Sequence, residues 1–266
     1  MGQWFTDLPT TWAALVAMTG SAALSVAGLL AVHPVVPHGL RRAHNDVSGF
    51  TLATVGVIYA VLLAFIAVAV WQGFGQADAL VQTEANLAGD LYRDSVALPD
   101  PLAAKLRHTL YVYAETVVQD EWPALAEGRV EEDAGWQLLD VFHVDLAELN
   151  ASDSSTAFTQ AEMLHLLNGL YDARRGRFHA ATATIPAALW WNLLAGAAIL
   201  MLFSYLFGVP RLLMHAAMVA LLGASIGLVL MLIFLLKDPF MGDNHVSVEP
   251  FNRLVRAVET MSYPHN

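Results

Sequence analysis

Hydrophobic and polar positions fall in long blocks along this chain. Asp, Glu, Lys and Arg are absent from residues 8–40, 47–77, 178–209 and 212–236. A helix of about 20 apolar residues crosses the ~30 Å hydrocarbon core of a bilayer, so each gap has room for one crossing. The pattern predicts spans over residues 11–32, 47–71, 187–209 and 212–236. Pro34 and Pro37 end the first span, because proline removes a backbone donor and clashes with the preceding turn. Trp190 and Trp191 are interfacial anchors for the third.

Between the second and third spans the pattern changes to amphipathic. Leu80, Leu87, Leu91 and Leu98 share one helical face, as do Leu102, Leu106, Tyr113 and Val117. Pro99, Pro123 and Gly128 punctuate the segment, which predicts helices over 77–97, 101–121, 131–149 and 156–181. Ser152 to Ser155 form a cap for the last of these. No alternating strand pattern is present, and no inverted repeat of the transporter kind. The expected fold is an all-α membrane protein: four transmembrane helices with a helical extramembrane domain inserted between the second and third. Its divisions are 1–75, 76–184, 185–236 and a polar tail, 237–266, ending in a short amphipathic helix with Leu254, Val258 and Met261.

Composition sharpens this picture. Of 266 residues 56% are hydrophobic and only 14% charged, against about 25% in a soluble domain. Residues 76–184 hold 18 acidic and 7 basic side chains, and 18 − 7 gives the whole net charge of −11. Nucleic-acid binding is thereby disfavoured. The absence of cysteine excludes disulfides and thiol catalysis. No basic residue precedes the first apolar run, which is read as a retained helix rather than a leader. Arg41, Arg42 and Arg211 lie on the short connectors, which the positive-inside rule assigns to the cytoplasm of a cell (inner) membrane, leaving the acidic segment outside. Arg174, Arg175, Arg177 and Lys237 argue the other way.

Candidate chemistry is sparse, and nothing points to an enzyme. Gly223-Ala-Ser-Ile-Gly227 has the spacing of a serine-hydrolase elbow but lies within an apolar run. His33, His38 and His44 lack zinc-site spacing. No Asp, Glu, Lys or Arg sits deep in a span, which argues against a pump or voltage sensor and leaves a pore with apolar constrictions. Small residues Gly49, Ala53, Gly56, Ala60, Ala64 and Ala67 line one face of the second span, for packing within one chain or between copies. Asp46 suits a helix N-terminus; around an oligomer axis, Asn45 and Asp46 would instead ring a pore mouth, with Gly56 and Tyr59 on its wall. Asp238, Asp243, Asn244 and Glu249 form either a plain membrane-exit turn or an oxygen-rich calcium site.

Several motifs point to a family. His44-Asn45-Asp46-Val47-x-Gly49, the run from Val55 to Phe65, Glu121-Trp122-Pro123-Ala124-Leu125, Phe203-Ser204-Tyr205-Leu206-Phe207-Gly208 and Asp238-Pro239-Phe240-x-Gly242-Asp243 resemble the bacterial bestrophin-like membrane proteins. That family is distantly similar to bestrophins, which are pentameric ion channels. The resemblance implies a homo-oligomer, pentameric or tetrameric, that conducts inorganic ions, with a cytosolic helical domain and a preference for anions. It also implies a calcium clasp after the last span, although Met241 interrupts the Phe-Gly pair and the acidic run is thin. Two functions follow. One is an ion channel with the second span around the axis and the acidic segment as a vestibule, which by its charge concentrates cations. The other is a membrane-anchored scaffold or sensor whose acidic domain binds a partner.

Overall fold

The computed structural model describes residues 8–43, 45–151 and 153–262. Among them every regular element is helical. Helices α1 (Thr10–Val32), α2 (His38–Ala43) and α3 (Asn45–Asp94) come first, followed by a 3-10 turn at Ser95–Ala97. Then come α4 (Leu102–Thr116), a wide π turn (Val117–Glu121), α5 (Trp122–Ala126), α6 (Asp133–Ala147) and α7 (Ser154–Thr182). The chain closes with α8 (Ala187–Tyr205), α9 (Leu212–Leu236) and α10 (Glu249–Ser262). Four helices are long and apolar enough to cross a bilayer: α1, α3, α8 and α9. This is a multi-pass membrane protein.

Two compact units form. The first holds the described residues up to Gln72, Thr184–Asp238 and Gly242–Asn244; the second holds Gly73–Ala183, Pro239–Met241 and the described residues from His245 on. The second span does not end at residue 71. The second span and the helix expected over 77–97 are one helix of 50 residues. Gly73 and Gly75 lie inside it, at a cost of about 1 kcal/mol each relative to alanine, but no proline interrupts the hydrogen-bond ladder. The third span is shorter than expected, because the chain leaves the helix after Tyr205.

In the first unit, glycine sets the distance between helices. On α9, a Cβ at Gly223 would stand 2.7 Å from the Ser25 Cβ, and one at Gly227 would stand 2.9 Å from the Ala17 carbonyl oxygen. Gly223 and Gly227 therefore pack α9 on α1 within the chain. Ser21 and Ser25 turn their hydroxyls back to the carbonyls of Ala17 and Ser21 (2.5 and 2.7 Å), which leaves no unmet donor at this contact. Ser225, the middle of the hydrolase-like spacing, donates to Leu221 O at 2.9 Å in mid-helix, so it is no nucleophile elbow. On the other side Tyr59 of α3 lies over Gly196 of α8, where a Cβ would meet the ring at 2.6 Å.

The second unit is a soluble-type helical core. Leu91, Leu106, Leu110, Leu139, Phe142 and Leu167 are among its fully buried side chains. Asp153 caps α7, accepting the Ser155 and Thr156 N–H groups at 2.9 Å each; Ser152 lies outside the described residues. Leu254 and Val258 of α10 face this core, as the amphipathic pattern requires.

Replacing Gly196 by valine forces two extra methyl groups against the Tyr59 ring. Overpacking of this kind costs about 1–3 kcal/mol. The expected result is a melting temperature in detergent several degrees below that of the parent, with no such loss for Gly20→Val, where a Cβ meets nothing.

Candidate functional site

The first candidate cluster lies at the N-terminus of α3. Asn45 accepts the Gly208 N–H at 2.8 Å through Oδ1 and returns its Nδ2 to the Gly208 carbonyl at 3.5 Å. This side chain ties the first connector to the second. Only glycine fits at 208, since a Cβ there would stand 2.9 Å from the Arg41 carbonyl carbon and closer still to Arg42. Asp46 is exposed in the first turn of α3. His44 lies outside the described residues.

Gly56 and Tyr59, expected on a pore wall, are used differently in the fold of a single chain. Tyr59 is 4% exposed and donates to the Leu193 carbonyl at 3.1 Å. Gly56 faces Leu200, 3.6 Å from where its Cβ would be. Both positions therefore bind α3 to α8. The opposite face of α3 remains open: Phe50, Val57, Val61, Phe65 and Val68 are exposed, together with Ala53, Ala60 and Ala64 of the small-residue stripe.

The residues after the last span are tied to α1 and to neighbouring side chains. Asp243 and Asn244 cap α1: Asp243 Oδ2 accepts the Thr10 N–H at 3.3 Å, and Asn244 Nδ2 donates to Thr10 Oγ1 at 2.7 Å. A carboxylate there also suits the positive end of the helix dipole. Asp238 pairs with Lys237, and Glu249 with Arg256. No group of three or more His, Cys, Asp or Glu side chains suited to a metal exists among the described residues. Gly242 has φ +77°, which glycine adopts without strain, and the turn closes with Val246 N–H donating to Pro239 O at 2.7 Å.

The second unit holds a site that sequence reasoning missed. Glu84, Glu121, Arg174 and Arg177 are all buried. Arg177 Nε donates to Glu84 Oε2 at 2.6 Å and its Nη2 to Glu121 Oε2 at 2.7 Å. Arg174 holds Glu121 in a two-pronged pair at 2.6 and 3.0 Å. Tyr113 closes the ring, donating to Glu84 Oε1 at 2.5 Å. Two carboxylates and two guanidinium groups balance, which is what permits the burial. Aromatic faces surround the cations: Arg174 lies 4.9 Å from the Trp136 and Phe178 ring centres, and Arg177 lies 4.5 Å from Phe178.

Local sequence aims these groups. Pro123 has no N–H to give, and Trp122 N–H reaches back five residues to the Val117 carbonyl. The resulting π turn carries Glu121 inward. Gly135 makes room, since a Cβ there would stand 2.7 Å from the Arg174 guanidinium carbon. Arg174, Arg177 and Phe178 share a face at helical spacing. A signal was present in the sequence: Glu84 interrupts the buried stripe Ala77, Val81, Ala88, Leu91. Arg174 and Arg177 are also removed from the orientation argument, because neither reaches a membrane surface.

Burial pushes the Tyr113 hydroxyl well above its ordinary pKa, and Glu84 adds to the effect against the two arginines. Burial opposes the Arg177 charge most, but Glu84, Glu121 and Tyr113 together outweigh it and the group stays raised.

Comparison with known proteins follows this geometry. A Bestrophin-like domain matches residues 19–251. A search of curated proteins finds no match. Among solved structures, two variants of a bacterial bestrophin homologue from Klebsiella pneumoniae superpose with TM-scores of 0.68 at 16% identity. They cover 94% and 92% of this chain and 98% and 99% of theirs. A structure described as a membrane protein variant gives 0.68 at 17% identity, covering 96% of this chain and 99% of its own. At such identity these likenesses establish the fold.

Two outcomes test the ion cluster. Glu121→Gln leaves a buried guanidinium short of its counter-charge and should cost about 3–5 kcal/mol, read as a lower melting temperature. Above pH ~10 an unfolded tyrosine loses its proton while native Tyr113 keeps it, so the native state binds more protons and stability falls as pH rises. Melts from pH 8 to 11 should show this loss, and Tyr113→Phe should reduce it. With the domain match running from the first span into α10 and the fold shared over nearly the whole chain, this protein belongs to the Bestrophin-like family.

Proposed function

We propose that this chain is one subunit of a homo-oligomeric ion channel, with α3 around the axis and the acidic helical unit as its vestibule. The supporting observation is the two-faced second span. Its inner face is taken by α8 through Gly56 and Tyr59, while Ala53, Ala60 and Ala64 stay uncovered beside Val57, Val61 and Phe65. In hydrocarbon, helices associate through small residues that let backbones approach. Uncovered alanines on this face suit a neighbouring copy, and the bulky apolar side chains suit a dewetting constriction.

Charge sets the preference for cations. The buried cluster of two Glu and two Arg is neutral, so removing it from 18 acidic and 7 basic residues leaves 16 and 5. The full −11 of residues 76–184 remains on the other side chains. Such a field raises the local concentration of cations and repels anions. Asp46, exposed at the N-terminus of α3, adds a ring of like charge at the mouth of the assembly.

Purified protein should run as a multimer and carry potassium flux in liposomes. Asp46→Asn should shift the reversal potential toward chloride, and Ala60→Phe should break the multimer. A monomer without flux would favour the scaffold reading. Chloride selectivity unaffected by Asp46 would remove the vestibule argument.

A further inference from the structure

Arg41 is out of place. It lies in α2, between the first and second spans, and is only 3% exposed. Its Nε and Nη2 are buried without a hydrogen-bond partner, and it joins no ion pair among the described residues. An arginine keeps its charge, and a buried cation without a counter-charge is among the least tolerated arrangements in a folded chain. The described carboxylates of the same unit do not meet this need. Asp243 is bound to Thr10 at the far end of α1, Asp238 pairs with Lys237, and Asp46 is exposed.

An apolar crevice opens at the second connector, whose Gly208 packs on the Arg41 and Arg42 backbone. Phe207 and Val209 line it on the second connector, on either side of the Gly208 backbone that presses on Arg41 and Arg42. Leu52, Met218 and Leu222 continue it along α3 and α9, away from the connectors. Its volume is about 180 Å³, and its walls are almost wholly apolar. An apolar cavity of roughly 150 Å³ already admits a benzene ring, so this one accepts a length of hydrocarbon chain. Its lining belongs to membrane spans, where hydrocarbon is the surrounding solvent. Arg42 and Arg211 add exposed positive charge on the same two connectors.

We infer that this corner binds one anionic phospholipid, with its phosphate neutralising Arg41 and one acyl chain lying in the crevice between α3 and α9. Arg41 lies on the connector that joins two spans, and the crevice runs from the other connector along α3 and α9, an arrangement that suits the headgroup and acyl chain of a lipid better than a free anion. Arg41 needs a net negative group, so phosphatidylglycerol is expected to bind better than the zwitterionic phosphatidylcholine. The site requires no conduction and stands apart from the channel reading.

Native mass spectrometry on the full chain, delipidated in detergent, tests this with dimyristoyl phosphatidylglycerol, dimyristoyl phosphatidylcholine and inorganic phosphate as separate probes. Phosphatidylglycerol should be retained at one molecule per chain and raise the melting temperature. Arg41→Gln should weaken retention about tenfold or more. Met218→Trp, at a 60% exposed residue of the crevice wall, should do the same without disturbing the core. If Arg41→Gln fails to fold, Met218→Trp decides. Equal retention of phosphatidylcholine, retention unchanged in the variants, or the same stabilisation from inorganic phosphate alone would overturn the assignment.

Discussion

Helices inside a bilayer gain nothing from hiding apolar surface, because the lipid is as apolar as they are. Contact must come from shape, and in this chain the shape is set by the absence of side chains. Gly223 and Gly227 admit the serines of α1, Gly196 admits the Tyr59 ring, and Gly28 admits Tyr205. The serines satisfy themselves on their own helix, so close approach leaves no polar group unpaired. The arrangement of the four spans rests on these few positions. The connectors follow the same logic, since the Asn45 amide reaches the Gly208 backbone only because no Cβ stands in the way.

The second unit obeys the opposite rule. Its core is dense with leucine and phenylalanine, yet four charges lie at its centre. Replacing such a set with apolar residues is often neutral or favourable, so its value here is better understood as geometric than as added stability. Each carboxylate has a defined place on two guanidinium forks, and Tyr113 fixes the last oxygen. Phe240 rests on Trp122 and Phe251 on Tyr113, so the segments that follow the last span are seated against the same ring of residues. A neutral interior also leaves the whole formal charge of residues 76–184 on the remaining side chains.

Membrane character, the four spans and the helical nature of the intervening segment were legible in the spacing of charge and leucine. So was the cap at Asp153, whose chemistry is local. Local rules failed where a long-range partner decided the outcome. The helix from Asn45 to Asp94 runs on through Gly73 and Gly75, because no proline is there to stop a helix already propagating. Tyr59 packs over Gly196 of α8, a contact that no local pattern announces. Asp243 and Asn244 bond to Thr10, more than 230 positions earlier in the chain, a partner that no local pattern names.

By itself the sequence determined which stretches enter lipid, because transfer from water depends on composition within about 20 residues. It also determined where the net charge lies. Only tertiary structure decided which polar residues satisfy one another. Glu84, Glu121, Arg174 and Arg177 are separated by up to 93 positions, and even Glu84, which interrupts an apolar stripe, does not name its partners. A charge becomes burial-tolerant only when its counter-charge is brought within hydrogen-bond reach, and that distance is a property of the fold.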